Sequence, residues 1–416
     1  RFLYNAEHKL RSNKSGNPLL IFRNDGHSAR VAKTIAIKTY SSGPRGGMEG
    51  ARAMAEHFGF EHLVSVDIGG TTTDICEVDG GQVREDRHGR VEGIEVSFPL
   101  PNVVSVGVGG SSIIRVEDGA IRIGPESVGS EPGPACFGLG GTAATITDAF
   151  LLTGLLDPAS YFGGELSIDV ERARKAIRTH IADPLGIDEI TAASRMEAAW
   201  AQTVAQGISS FTEITPQTTL AAFGGAGPMV ICKVAEAAGV RRVVIPGLAA
   251  VFSAFGLGFS DIAHQYEARL SRAADIPEAL DRLMARARRG MYAEGFALED
   301  CDIARSVCIH QERGEQVLPY TDDLPASKLG DNFTLRLDVS KAMPQPRIDG
   351  GFGAGDSVAD SRDTRKLLAA GQWDAVPVYR VEDQRGGALA EGPAVLEEKF
   401  FTARIEPGWT ITFSEN

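Results

Sequence analysis

The 416-residue sequence contains no uninterrupted apolar run of about 18 residues, the length a membrane helix needs. That argues against a membrane span. It also lacks a basic excess: 42 Lys and Arg face 55 Asp and Glu, a formal net charge of −13. A general nucleic-acid partner is therefore not expected, since nothing balances a phosphate backbone. A local phosphate site is still compatible with this charge, because backbone amides can build one. Cysteine is scarce and scattered, at Cys76, Cys136, Cys232, Cys301 and Cys308, with no C-x-x-C pair. An odd, dispersed set points to free thiols in a reduced, cytoplasmic chain. Cys301 and Cys308 with His310 are the nearest approach to a metal set, and free thiols are the preferred reading. No signal-peptide apolar region opens the chain.

What is abundant is glycine, 48 residues, and it is clustered. The stretch "NPLLIFRNDG" reads as a buried strand ended by an Asn-Asp-Gly turn. "SSGPRGGMEGARAMAEHFG" reads as a glycine turn at 42–47 opening a helix that stops at Gly59. Next come a strand, "HLVSVDIG", its hairpin partner, "TTDICEVDGG", and a third strand, "QVREDRHG". Glycine is dense from Gly107 to Gly141, where "SIIRVEDGAIRIG" reads as a hairpin. From Asp148 the chain turns helical, and the run 191–214 places Met196, Ala199, Trp200, Val204 and Ile208 on one face. "TTLAAFGGAGPMVICKVAEAAGVRRVVIPG" reads as a β-α-β unit. "VFSAFGLGFSDIAHQYEARL" reads as a helix, or a helix and a loop, and from Ser306 strands dominate.

Two motifs carry chemistry. In "VDIGGTTTD" a strand delivers Asp67 to a turn whose Gly69 and Gly70 can aim amides at an anion. Thr71, Thr72 and Thr73 add hydroxyls. Asp67 or Asp74 can orient a hydrated Mg²⁺, which prefers one or two carboxylates with water and phosphate oxygens. A bulged hairpin without a ligand is the alternative. In "FGGAGP", Gly224, Gly225 and Gly227 lie between a strand and a helix, with Pro228 in the first turn. A close helix–sheet contact is the alternative there. Neither the dinucleotide fingerprint nor the G-K-[ST] phosphate loop fits the spacing.

Strand–DxGGT–hairpin, then helices, then strand–GGxGP–helix is the order of the actin-like and sugar-kinase ATPases. In more detail the chain resembles the hydantoinase A / 5-oxoprolinase family, whose members include subunits of acetone and acetophenone carboxylases. The resemblance rests on "SSGPRGG", "VDIGGTTTD", "VGVGGSSI", "GPESVGSEPGPACFGLGG", "TDAFLLTGLLDP", "FGGAGP", "GPAVLEE" and "PGW". It implies an α/β fold of the actin-like (RNase H-like) class with a smaller C-terminal β-rich domain. The expected division is 1–40 as the end of a preceding domain or linker and 41–265 as the ATPase-type domain. A helical connection over 266–305 and a β-rich domain over 306–416 follow. Full members begin with a further domain carrying its own phosphate loop, and this sequence holds one copy. Hydrolase members read like H-T-V-G-A-G-G-G-S where this chain has Val104 and Ser111. That departure leans toward the carboxylase branch.

The resemblance implies ATP and Mg²⁺ as cofactors. Gly69, Gly70, Thr71 and Thr72 would cradle phosphate, and Gly224, Gly225 and Gly227 would meet the nucleoside. Asp67 would act in catalysis and hold Mg²⁺ through water. Asp148 is a second catalytic candidate, with a helix cap as its alternative, and Glu126 and His264 are weaker ones. The implied function is an ATP-dependent ketone carboxylase subunit with bicarbonate as co-substrate and hydantoinase B-like subunits as partners. The alternatives are an ATP-hydrolysing hydantoinase, oxoprolinase or lactamase, which opens a cyclic amide, and a non-catalytic subunit of such a complex.

Overall fold

The computed structural model describes residues 2–414 apart from 87–88, 92, 97–99, 165, 312–313, 322, 331, 353–354, 356 and 362. Part of the expected third strand, "QVREDRHG", lies outside the described residues. The architecture is mixed α/β with several sheets, the class expected of an actin-like fold. Among the described residues no helix is long and apolar enough to cross a membrane.

Contacts divide the chain into two compact units, each built from two segments. One unit joins residues 1–45 to 258–346; the other joins 46–257 to 347–416. Consecutive domains were expected. Strand pairing explains the difference: Ser28 near the start pairs in parallel with Ile262, far along the chain.

The first unit is a six-stranded sheet in the order Leu20–Phe22, Ser28–Arg30, Ile262–Leu270, Phe333–Lys341, Asp302–Gln311, Gly314–Pro319. The Asn-Asp-Gly turn falls where expected, with Gly26 at φ +81°. Residues 262–270, expected as helix or loop, form a strand; burial alternates along it, and it runs antiparallel to Phe333–Lys341 over its whole length. Helix Ile276–Glu294 packs Ile276, Ala279, Leu283, Ala287 and Met291 into this unit's core.

The second unit carries the two motifs. Its elements are α1 (Ser42–Phe58), β1 (His62–Ile68), β2 (Thr73–Asp79), β3 (Val104–Val106), α2 (Ile146–Leu152), α3 (Glu189–Phe211), β4 (Thr218–Phe223), α4 (Gly227–Ala238), β5 (Arg242–Val244) and α5 (Phe252–Gly256). The first four residues of α1 fall in the other unit. The strands lie in one sheet in the order β3-β2-β1-β4-β5. β1 and β2 are antiparallel, whereas β1, β4 and β5 run parallel. A parallel neighbour needs a crossover, and α4 supplies it between β4 and β5. β1 and β4 are buried almost along their whole length, which is why both read as near-continuous apolar runs.

Behind the sheet, α3 presents Met196, Trp200, Val204 and Ile208 to the core, as its periodicity predicts, whereas Ala199, expected on the same face, is half-buried at its edge. Glu197 is buried on that helix too. Burying a carboxylate is costly unless it is paired. Here Arg404 donates to it from the C-terminal strand Phe401–Ile405, at 2.5 and 3.3 Å, and Lys233 of α4 pairs with it as well. Arg404 also reaches Thr153 Oγ1 at 3.1 Å. These bonds join the last strands to the helical layer, so residues 347–416 belong to this unit and not to a separate β-rich domain.

Candidate functional site

Strand register assembles the site. In β1 and β4, Asp67 lies opposite Phe223, so the two glycine turns that follow leave the sheet side by side at one end. The ends of parallel strands are where open α/β sheets place ligands. The antiparallel pairing of β1 and β2 sets Asp67 opposite Asp74. Directly paired residues share a face, so two carboxylates meet there.

The Gly69–Thr72 turn closes by a Gly69 N–H bond to the Thr72 carbonyl at 3.0 Å. A second turn, Gly109–Ser112, lies against it. Gly110 N–H donates to the Gly69 carbonyl at 2.9 Å and Ser111 N–H to the Gly70 carbonyl at 2.6 Å. Only glycine fits at 109, where an added Cβ would stand 2.7 Å from Gly70 C and from Thr71 N. Gly70, Thr71 and Thr72 are exposed. Among the described residues the amides of Gly70 and Thr71 have no protein acceptor. Paired outward amides of this kind form an anion-binding concavity.

FGGAGP supplies the third wall. Gly224 has φ +79°, and a Cβ there would stand 2.4 Å from Asp67 Oδ1 and 2.5 Å from the Ile68 carbonyl. Ala226 N–H donates to that carbonyl at 3.1 Å. Gly225 is exposed, and Gly227 is buried as the first residue of α4, with Pro228 behind it. The structure thus brings Asp67, Gly69, Gly70, Thr71, Thr72, Gly224, Gly225 and Gly227 to one end of the sheet.

Asp67 is half-buried, and its Oδ2 accepts a 3.0 Å bond from Ser253 of α5. Burial pushes its carboxyl above the ordinary range; the Ser253 bond pulls it down and the charge of Asp74 pushes it up. Asp74 Oδ1 accepts from Ser105 at 2.5 Å. Among the described residues no Lys or Arg pairs with either acid. Two facing carboxylates without a cation, beside free amides and exposed hydroxyls, form a donor set that fits hydrated Mg²⁺ and a polyphosphate.

Asp148 does not reach this site. It is fully buried as the third residue of α2 and completes a capping box with Thr145. Its Oδ1 accepts from Cys136 N–H at 2.8 Å, and its Oδ2 from Thr145 N–H and Thr145 Oγ1 at 3.0 and 2.7 Å. Burial pushes its carboxyl above the ordinary range against those donors. Both oxygens are engaged in structure, which leaves none for chemistry. Its effect is indirect: it fixes the start of α2, whose Thr147 donates to the Gly110 carbonyl at 2.8 Å. Glu126 pairs with Arg115 at 2.9 Å on the surface. His264 lies in the other unit and contacts the buried Glu294 at 2.7 Å. Cys301 donates to the Ala297 carbonyl and His310 contacts Thr334; no group of three or more His, Cys, Asp and Glu suited to a metal occurs among the described residues.

Sequence reasoning left two parts of the site unplaced. It noted "VGVGGSS" without seating it on the Asp67 turn; the pairing of β3 with β2 brings it there. It gave Ser253 no role, and nothing local in "FSAFG" marks the contact with Asp67.

Residues 1–266 match the family model described as hydantoinase/oxoprolinase. The chain belongs to the hydantoinase/oxoprolinase family. It is 29% identical to the acetophenone carboxylase gamma subunit of Aromatoleum aromaticum, over 96% of this chain and 61% of that one. It is 27% identical to the caprolactamase subunit alpha of Pseudomonas jessenii, over 95% of this chain and 63% of that one. Among solved structures, a nucleotide-free acetone carboxylase superposes with a TM-score of 0.87 at 23% identity, over 99% of this chain and 65% of that one. That likeness shows a shared fold. The chain spans about three fifths of the length of the curated relatives it matches.

Proposed function

We propose that this family member is the nucleotide-binding part of an ATP-dependent enzyme that activates a carbonyl compound, and that its reaction is carboxylation of a ketone. The observation that carries the reading is the meeting of three glycine turns around Asp67, with Gly224 seated against the Asp67 carboxylate. The Gly70 and Thr71 amides and the Thr71 and Thr72 hydroxyls would bind phosphate oxygens. Asp67, with Asp74 opposite, would orient the water shell of Mg²⁺. Gly224, Gly225 and Gly227 would admit the nucleoside, since none of the three carries a side chain.

ATP with Mg²⁺ supplies a γ-phosphoryl group that makes an enolate or amide oxygen reactive. The protein's share is to position that group and to meet developing charge with fixed amides. Similarity to the acetophenone carboxylase subunit favours a ketone with bicarbonate. Val104 favours it too: exposed on β3, it offers no ring nitrogen where hydrolase members read His. Similarity to the caprolactamase subunit supports the second reading, opening of a cyclic amide. Because those relatives are named as subunits, hydantoinase B-like partners belong to this proposal.

The test is ATP hydrolysis by the complete complex with acetone, acetophenone, hydantoin and 5-oxoproline, each with and without bicarbonate. Turnover that needs a ketone and bicarbonate together supports carboxylation. Turnover with a cyclic amide alone supports the second reading. Absence of nucleotide binding in the complete complex would leave a structural subunit. Asp67→Ala should abolish turnover, and unchanged activity would sink the site assignment.

A further inference from the structure

The family motif "SSGPRGG" reads as a loop, yet α1 begins at Ser42 and takes its glycines into the helix. Glycine inside a helix costs about 1 kcal/mol relative to alanine, so several together need a reason. They form a seat for α5. A Cβ on Gly46 would stand 2.5 Å from the Ser253 carbonyl oxygen, and one on Gly50 2.9 Å from the Phe252 ring. A Cβ on Gly47 would stand 2.9 Å from Phe223 and 3.1 Å from Ser253 Oγ. Seen from α5, a Cβ on Gly256 would stand 2.7 Å from Gly46 C and 2.9 Å from Gly50 N. Backbone therefore packs on backbone, with glycine on both sides.

Two side chains of α5 use this approach. Phe252 packs its ring against Phe223 at a tilt, with ring centroids 4.7 Å apart, at the end of β4 beside Asp67. Ser253, the next residue, donates its hydroxyl to Asp67 Oδ2. Gly224 closes in on Oδ1. One oxygen of the carboxylate is held by a hydrogen bond, and the other is confined by a backbone that admits no side chain.

We infer that Ser253 is a positioning residue for Asp67, delivered by the glycine seat of α1, and that it sets the carboxylate orientation that receives Mg²⁺ with the nucleotide. The inference rests on the nucleotide reading of this site. Ser253 acts through Asp67 and touches no reacting atom. A carboxylate free to rotate would hold the water shell of Mg²⁺ less well. The nucleotide contacts made by the Gly70 and Thr71 amides would be unaffected.

That separation gives the experiment. A fluorescent ATP analogue is titrated into the complete complex carrying the wild-type chain or its Ser253→Ala and Ser253→Cys variants, once with Mg²⁺ and once with EDTA. Ser253→Ala should bind about tenfold more weakly with Mg²⁺, the loss typical of one hydrogen bond to a charged group. It should match the wild type in EDTA. Ser253→Cys, a weak donor of similar size, should fall between. Equal affinity with Mg²⁺, or an equal loss under both conditions, overturns the positioning role. A complete complex with the wild-type chain that binds no analogue in either condition overturns the nucleotide reading beneath it, which separates the two failures.

Discussion

At the scale of single residues, the site depends on what is missing from side chains as much as on what they offer. Gly224 is the sharpest case. Alanine there would need φ near +79° and would drive a methyl into Asp67 and the Ile68 carbonyl. The left-handed conformation alone costs a non-glycine residue about 1–2 kcal/mol. Gly224→Ala should therefore lose nucleotide binding while the chain stays folded, as read by calorimetric titration beside circular dichroism. The residue types were legible in the sequence: Asp67, Gly69, Gly70 and the FGGAGP glycines all reach one sheet end. Asp148 carries two readings in the sequence, because an acid before an apolar run signals a cap and a catalytic group equally well, and the cap is the one the structure shows. Only its two filled oxygens separate them. Ser253 was illegible, because its contact joins positions far apart in sequence.

Among the elements, α1 and α5 approach closely because α1 offers glycine where α5 brings its backbone and the Phe252 ring, so their spacing leaves no room for an added methyl. Gly46→Ala would press on the Ser253 carbonyl, a backbone atom that cannot rotate away. Overpacking of this kind costs about 1–3 kcal/mol. Urea unfolding should show that loss, and Mg²⁺-dependent nucleotide affinity should fall with it. Strands with one clear signal were legible: β1, β2 and β4 lie where their apolar runs and turns place them. The strand Ile262–Leu270 was not. Its alternation mixes His264, Tyr266 and Ala268 on one side with Gln265, Glu267 and Arg269 on the other. Its strand character follows from the sheet it joins, antiparallel to Phe333–Lys341. The glycines of α1 misled in the opposite direction, since local propensity favours a turn where packing imposes a helix.

At the scale of the whole molecule, the Glu197–Arg404–Lys233 cluster ties the C-terminal strand to α3 and α4 within one unit. Arg404→Met would leave Glu197 buried beside Lys233 alone. Removing one partner of a buried pair typically costs about 3–5 kcal/mol. The urea midpoint at pH 7 should fall accordingly. Burial pushes the Glu197 carboxyl up, but Arg404 and Lys233 outweigh it and hold the group below its ordinary range. A carboxyl depressed in the folded state stabilises the fold above its unfolded value of about 4.3. That contribution disappears as pH falls through the lower, folded value. Stability of the wild type should drop between about pH 5 and more acid conditions, and Arg404→Met should flatten the drop. Domain order was not legible in the sequence, because the contacts that define each unit join its two ends.

That arrangement constrains how the protein is made. Residues 46–257 leave the ribosome with the sheet, the three glycine turns and Glu197 already present, but without Arg404. The segment 258–346, which belongs to the other unit, must emerge before the strand that carries it. At roughly 5–20 residues per second, the growing chain holds Glu197 with Lys233 but without Arg404 for at least several seconds. Until Arg404 arrives, Lys233 of the same segment is the cation that balances the carboxylate, and the second, buried ion pair closes only when the C-terminal strand docks.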